Sequence, residues 1–252
     1  MPKKKDFFTL KNSARSISRE ERLRSSNYLE SVKAFARLTN QSLYVINYAE
    51  MGFEYVSENP LFLCGYSAEE VLKMGYDFYL NTVPEQDLKL LLEINRIGFD
   101  FYDTIPLEER KLYTISYDFN LKTEDQSSIL INHKLTPLFL DASGKIWKAL
   151  CIVSLASSES AGNIRIYKQG DQNSIRYDLA SGVWETVASI QLTSREQEIL
   201  QLSIRGFKVD QIAQELNLSL NTIKYHRKKL FEKLDVTTIV EAITCATRNN
   251  LI

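Results

Sequence analysis

From position 224 to 229 the chain reads KYHRKK, placing Lys224, His226, Arg227, Lys228 and Lys229 within six positions. A run of this kind suits one sort of chemistry, the neutralisation of a polyanion such as a phosphate backbone. A merely solvated basic face normally interleaves acids with its cations, yet the first acid after Ser219 is Glu232. Catalytic chemistry is far less well supplied. His133 and His226 have no metal-ligating residue two to four positions away, and Cys64, Cys151 and Cys245 show neither zinc spacing nor a disulfide framework. The chain lacks a glycine-rich phosphate loop, a G-x-S-x-G elbow and a C-x-x-C pair. The acidic pairs Glu69/Glu70 and Glu108/Glu109 are adjacent, so their members point to different sides of any element. The residues therefore imply no catalytic site, no metal and no cofactor, and a protein that is not an enzyme.

The elements around the basic run must hold it outward. Ser219 can cap a helix whose Ile223, Leu230, Phe231 and Leu234 form an apolar stripe. At 100° per residue Lys224, Tyr225 and Lys228 project together, away from that stripe. Cations near a helix N-terminus oppose the helix dipole, and their crowding there makes sense with phosphate as partner. Upstream, Thr193 or Ser194 can cap "SREQEILQLSIRG", with Ile199, Leu200 and Leu202 inward and Gly206 as the stop. The segment "VDQIAQEL" places Ile212, Ala213 and Leu216 on one face, and "NLS" makes a tight connection. A fourth helix, "TTIVEAITCATRN", offers Ile239, Val240, Ile243 and Ala246. Short helix, short turn and longer basic helix is a helix-turn-helix pattern, in which the third helix enters the major groove of double-stranded DNA.

The rest of the chain alternates differently. Residues 18–38 predict one helix, with Leu23, Leu29, Val32, Phe35 and Ala36 near helical spacing. "SLYVINY" and "GFEYVSENP" read as strands. Ser67 and Glu70 then have capping-box spacing, and Pro84 opens a longer helix bearing Leu88, Leu91 and Leu92. "KLYTISYDFNL", "SSILINHKLTPLFL" and "KIWKALCIVSLA" are strands, the last two joined by the turn "DASG". The fold class is α+β, one antiparallel sheet with helices against one face, followed by an all-α unit. The expected organisation is a helical segment over 1–40, a sheet domain over 41–157, a short β-rich linker, meander or strand addition over 158–191, and four helices over 192–252.

Composition sets the bounds. The 252 residues are 44% hydrophobic and 25% charged, as in ordinary globular chains. A formal net charge of -1 confines any nucleic-acid binding to a local patch. The basic start "MPKKKDFFTLKNS" lacks the apolar core of a signal peptide, and no apolar run reaches about 18 residues. These features predict a cytoplasmic protein with no membrane partner.

Two resemblances sharpen the reading. "LTSREQEIL", "QIAQELNLSLNTIKYHRKKLFEKLDV" and "EAITCA" resemble the LuxR/GerE-type helix-turn-helix of bacterial transcription regulators, over about 192–252. That resemblance implies Lys224, Tyr225 and Lys228 facing bases. It also implies Thr193, Asn221, Thr222, His226, Arg227 and Lys229 at the DNA backbone or holding the helix in place. A dimer helix would present Val240, Ile243, Thr244 and Thr247, so a homodimer is implied. The sequence departs from the family at Val209 and Asp210, where a polar residue and a base are common, and at Tyr225, larger than the usual aliphatic residue.

Residues 41–156 resemble a PAS sensor domain, most locally in "NPLFLCGYSAEEVL", carried by Asn59, Gly65, Tyr66, Ser67, Glu69 and Glu70. This implies a small-molecule or protein signal. Cys64 lacks the asparagine-arginine-glutamine context of a flavin-adduct cysteine and reads as a packed thiol, and His133 reads as a core histidine rather than a haem ligand. Phe53, Tyr55, Phe78, Tyr79, Phe99, Phe101, Tyr117 and Phe119 could line a pocket or simply form the core. Two rival readings are an acyl-lactone-binding regulator, whose tryptophan-rich pocket is missing here, and an interaction adaptor with a non-functional helix-turn-helix. Segments 18–38 and 237–249 are the candidate dimer contacts.

Overall fold

The computed structural model describes all residues except Met1, Arg15, Ser16, Ser26, Asn40, Gln126, Ser157, Ser189, Asn249, Asn250 and Ile252. Ser157, Ser189 and Asn249, which bound segments named above, thus lie outside the described residues. The chain divides into two compact units, Met1–Val187 and Ala188–Ile252.

The first unit is built on an eight-stranded sheet in the order β2-β1-β5-β4-β3-β6-β7-β8. Its strands are β1 (Ser42–Asn47), β2 (Gly52–Val56), β3 (Tyr113–Lys122), β4 (Ser128–Leu140), β5 (Ile146–Leu155), β6 (Gly162–Lys168), β7 (Asn173–Asp178) and β8 (Val183–Ala188). All six residues of β1 are buried, because it pairs antiparallel with β2 on one side and β5 on the other. Four helices lie between β2 and β3: α3 (Pro60–Leu63), α4 (Ala68–Met74), α5 (Asp77–Thr82) and α6 (Glu85–Tyr102). Two strands, helices, then three strands is the order that the PAS resemblance implies. One core joins Phe62, Val71, Phe78, Leu88 and Ile94 of these helices to Tyr44, Phe119, Leu121, Ile131, Cys151 and Val153 of the sheet. Full burial of a side chain such as Phe78 or Phe119 contributes about 1.5–3 kcal/mol.

Local chemistry sets the helix ends. The Ser67 amide donates to Glu70 Oε2 (2.8 Å) and the Glu70 amide to Ser67 Oγ (3.2 Å), the reciprocal box that the spacing predicts. Pro84 sits at the N-cap of α6 rather than inside its first turn. The single helix expected over 18–38 is two, α1 (Arg19–Arg24) and α2 (Tyr28–Leu38). Ser25 ends the first by returning its amide to the Glu21 carbonyl and its hydroxyl to that of Arg22. Serine favours such local bonds over helix continuation. The 158–191 segment holds β6, β7 and β8. β6 pairs with β3, matching Thr114 to Tyr167 and Ile115 to Ile166, so the segment extends the sheet.

The second unit contains α7 (Ser194–Ile204), α8 (Val209–Glu215), α9 (Leu220–Leu234) and α10 (Ile239–Arg248). Ile199 and Leu202 of α7, Ile212 and Ala213 of α8, and Ile223 of α9 make one apolar cluster. Leu200, Leu230, Leu234, Ala242 and Ala246 make a second.

Candidate nucleic-acid interface and an apolar cavity

Three local devices aim α9. Thr193 caps α7 by accepting from the Glu196 amide (3.3 Å), and Glu196 accepts from the Thr193 amide (2.8 Å). Glu196 is also held by Lys233 Nζ at 2.6 Å, tying the start of α7 to the end of α9. Burial raises the Glu196 pKa, but Lys233 and the Thr193 cap outweigh it and leave the carboxyl below its usual range. Between α8 and α9 the turn uses Asn217 at φ 53°, a left-handed conformation that asparagine tolerates, and the Leu218 amide returns to the Ala213 carbonyl (2.9 Å). Ser219 then caps α9 by accepting from the Thr222 amide (3.1 Å).

With Ile223, Leu230 and Leu234 buried, the opposite side of α9 is free. Lys224, Tyr225 and Lys228 are exposed, Tyr225 at 59%. Lys224, Arg227 and Lys228 line one shallow groove together with Val209, Phe231, Val236 and two acids, Glu232 and Asp235. Arg227 is half-buried, its guanidinium 5.5 Å from the Phe231 ring centre. His226 is half-buried against Tyr225, with ring centres 5.6 Å apart. Asn221 and Lys229 are exposed, whereas Thr193 and Thr222 are engaged in capping. The acid-free interval ends at Glu232, which pairs with Lys229 at 2.9 Å and more loosely with Lys228 at 3.9 Å. Lys208, passed over in the sequence reading, stands exposed at the N-cap of α8 beside Asp210. On α10, Val240, Thr244 and Thr247 are exposed and Ile243 is half-buried.

The first unit offers the opposite chemistry. A cavity of about 90 Å³ lies between α6 and the sheet. Tyr48, Tyr76, Tyr79, Tyr102, Tyr113 and Tyr117 line it with Phe99, Phe101 and aliphatic residues, and its few other polar groups include Asn95 and Thr114. Burial pushes the hydroxyls of Tyr48, Tyr76, Tyr79 and Tyr117 well above the usual tyrosine range, so they stay neutral. Gly98 of α6 also faces the cavity, and a Cβ there would stand 3.1 Å from Ile115 Cδ1. Of the eight aromatics singled out from sequence, Tyr79, Phe99, Phe101 and Tyr117 line this space. Phe53, Phe78 and Phe119 are core, and Tyr55 belongs to neither.

His133 is buried behind the cavity wall, its ring 4.7 Å from Tyr117. Its Nε2 meets the Tyr44 hydroxyl, which also meets that of Tyr79. Its Nδ1 has no hydrogen-bond partner among the described residues. Burial pushes the imidazole down to about 3. Cys64 is half-buried, and burial pushes its thiol up to about 11, as befits a packed cysteine. Among the described residues, no group of three or more His, Cys, Asp or Glu could hold a metal ion, and no helix is long and apolar enough to cross a membrane.

Residues 190–246 match the family of bacterial regulatory proteins named luxR. The HTH-type transcriptional regulator MalT of Vibrio campbellii is 44% identical over 62 residues, and that of Yersinia pestis 41% over 64. Each match covers 25% of this chain and 7% of the relative's length. Over nearly the whole chain, the structure of the LuxR-type receptor VqmA from Vibrio cholerae aligns at 19% identity, covering 88% of both chains with a TM-score of 0.35. A PAS/PAC sensor domain of a diguanylate cyclase from Marinobacter aquaeolei aligns at 14% identity, over 46% of this chain and 94% of its own, with a TM-score of 0.33. The C-terminal unit is a luxR-family helix-turn-helix domain.

Proposed function

We propose that the protein is a DNA-binding transcription regulator in which α9 enters the major groove and the PAS-like unit receives a signal. The observation that carries this reading is the two-sided α9: Ile223, Leu230 and Leu234 are buried, while Lys224, Tyr225 and Lys228 stand outward on a capped, rigid helix. In this reading Lys224, Tyr225 and Lys228 read base edges. Asn221, Arg227 and Lys229 contact phosphates, His226 supports the helix from beside Tyr225, and Thr193 and Thr222 fix the helix ends. Asp210 repels phosphate near the start of α8 and leaves Lys208 to offset it. Val240, Ile243, Thr244 and Thr247 of α10 pair two copies, placing two α9 helices in major grooves about 34–36 Å apart. The signal is a small molecule held in the apolar cavity, and its occupancy changes affinity for DNA.

The test is a titration of duplex DNA by the full chain at several salt concentrations. Each phosphate neutralised contributes about -0.9 to the slope of log K against log salt, so the two α9 cations assigned to phosphates, Arg227 and Lys229, predict about -1.8 per subunit. A flat response would refute the DNA-binding reading.

A further inference from the structure

The chain's own N-terminal stretch, residues 3–12, runs beside the cavity of the first unit and contributes Phe7 to its wall. Only a four-residue 3-10 turn, Lys4–Phe7, is regular there. Lys3, Lys4, Lys5, Thr9, Leu10 and Lys11 are exposed, whereas Phe7 and Asn12 are buried. Phe7 lines the cavity, its ring 5.4 Å from Tyr76 and 6.0 Å from Tyr79. A few polar bonds keep it there. Asn12 Nδ2 donates to the Phe7 carbonyl (2.7 Å), and Asn12 Oδ1 accepts from the Thr9 amide (2.6 Å). Asn95 Nδ2 donates to the same Phe7 carbonyl (2.9 Å). Farther along, Lys11 pairs with Asp100 (2.5 Å) and Lys145 Nζ donates to the Leu10 carbonyl (2.5 Å). The Lys11 and Lys145 contacts are exposed and hold weakly, so the stretch is held chiefly by Phe7, by Phe8 against Tyr76 (4.5 Å) and by the bonds around Asn12.

The lining dictates what the space accepts. None of the lining residues is Asp, Glu, Lys, Arg or His. An ion entering would lose its hydration with no opposite charge to meet it. At roughly 10–15 Å³ per water-sized position, a cavity of about 90 Å³ admits on the order of six to nine non-hydrogen atoms. Aromatic walls favour a ring. Asn95 belongs both to the lining and to the latch on Phe7, so a ligand acceptor drawing on its amide competes with the N-terminal stretch.

Building on the sensor reading above, we propose that residues 3–12 are a strap that gates this cavity, with Phe7 as its plug and Asn12 and Asn95 as its latch, for an uncharged ligand of single-ring size. Benzyl alcohol is a suitable probe, with benzylamine and benzoate as its cationic and anionic counterparts. Trp184 reports occupancy, since its ring lies 5.1 Å from Phe101 of the lining, and Trp147→Phe removes the other tryptophan signal.

In the full chain carrying that change, benzyl alcohol should shift Trp184 fluorescence saturably, with an association rate that levels off as opening of the strap becomes limiting. Phe7→Ala and, separately, Asn12→Ala should raise that rate about tenfold, as expected if the strap stands open on the order of a tenth of the time. Benzylamine and benzoate should need about a hundredfold higher concentration. Equal association rates in the parent and both variants, with binding retained, would overturn the gate and leave the sensor reading standing. Equal binding of the charged probes would overturn the uncharged class. No binding of benzyl alcohol to the parent or either variant would overturn both the gate and the small-molecule sensor, leaving the DNA-binding reading to its salt titration.

Discussion

The two units of this chain put polar chemistry in opposite places. In the first, six tyrosines and one asparagine turn inward around a space with no charged wall, and even the one histidine there is held neutral. In the second, the core is aliphatic and the cations stand outside on α9. A surface that must meet phosphate needs charge that is already hydrated and pays little to be exposed. A surface that must enclose a small neutral molecule needs shape and a few neutral donors. The contrast teaches that one chain can keep its polar groups inward and neutral in one unit and outward and charged in the other, as the proposed division between a signal and DNA requires.

The comparison is broken most directly by moving a charge inside. Ile94→Lys puts an ammonium into the cavity wall and should destabilise the first unit by about 3–5 kcal/mol, read by urea denaturation through Trp147 and Trp184. Tyr225→Lys, on exposed α9, should change stability by no more than about 0.5 kcal/mol. The buried tie of the second unit comes next. Lys233→Met removes the cation from Glu196, leaving only the Thr193 amide on that carboxylate, and should cost about 1.5–3 kcal/mol, followed by far-UV circular dichroism. Because the folded pKa of Glu196 lies below its ordinary 4.5, the tie contributes fully above that pH and is lost as pH falls through the folded value.

On the outside of α9, Lys224→Ala or Lys228→Ala should weaken DNA binding by about 1–3 kcal/mol each and loosen sequence preference, measured by competition between duplexes. The smallest effect per step is a slope. The unfolded chain protonates His133 near pH 6.5 and the folded chain only near 3. Between those values the unfolded state binds more protons, so the first unit loses stability as pH falls, by at most about 1.4 kcal/mol per pH unit. His133→Phe should flatten that slope in urea titrations from pH 6.5 downward.

Legibility in the sequence followed the range of the interactions. The helix-turn-helix was readable because its signals are local: the Thr193–Glu196 box, the Ser219 cap and the apolar stripe of α9 all fall within a few residues. The strands of the sheet were readable from alternation, but their neighbours were not. The pairing of β6 with β3 matches residues about fifty positions apart, and nothing in "IRIYK" announces it. The break at Ser25 was masked by apolar spacing that continues on both sides. The cavity was half seen. Tyr79, Phe99, Phe101 and Tyr117 stand out in the sequence as aromatics, but Phe7, Asn95 and Gly98 acquire meaning only when the N-terminal stretch, α6 and the sheet come together.

Gly98 carries a consequence for how such a chamber changes over generations. At this helical position a single methyl would reach into the space, and only the tip of Ile115, the end of a flexible side chain, stands in its way. Alanine there would even favour the helix, by about 1 kcal/mol. One codon could therefore narrow the space, and with it the range of molecules that would fit, at the cost of a small shift of one side-chain tip.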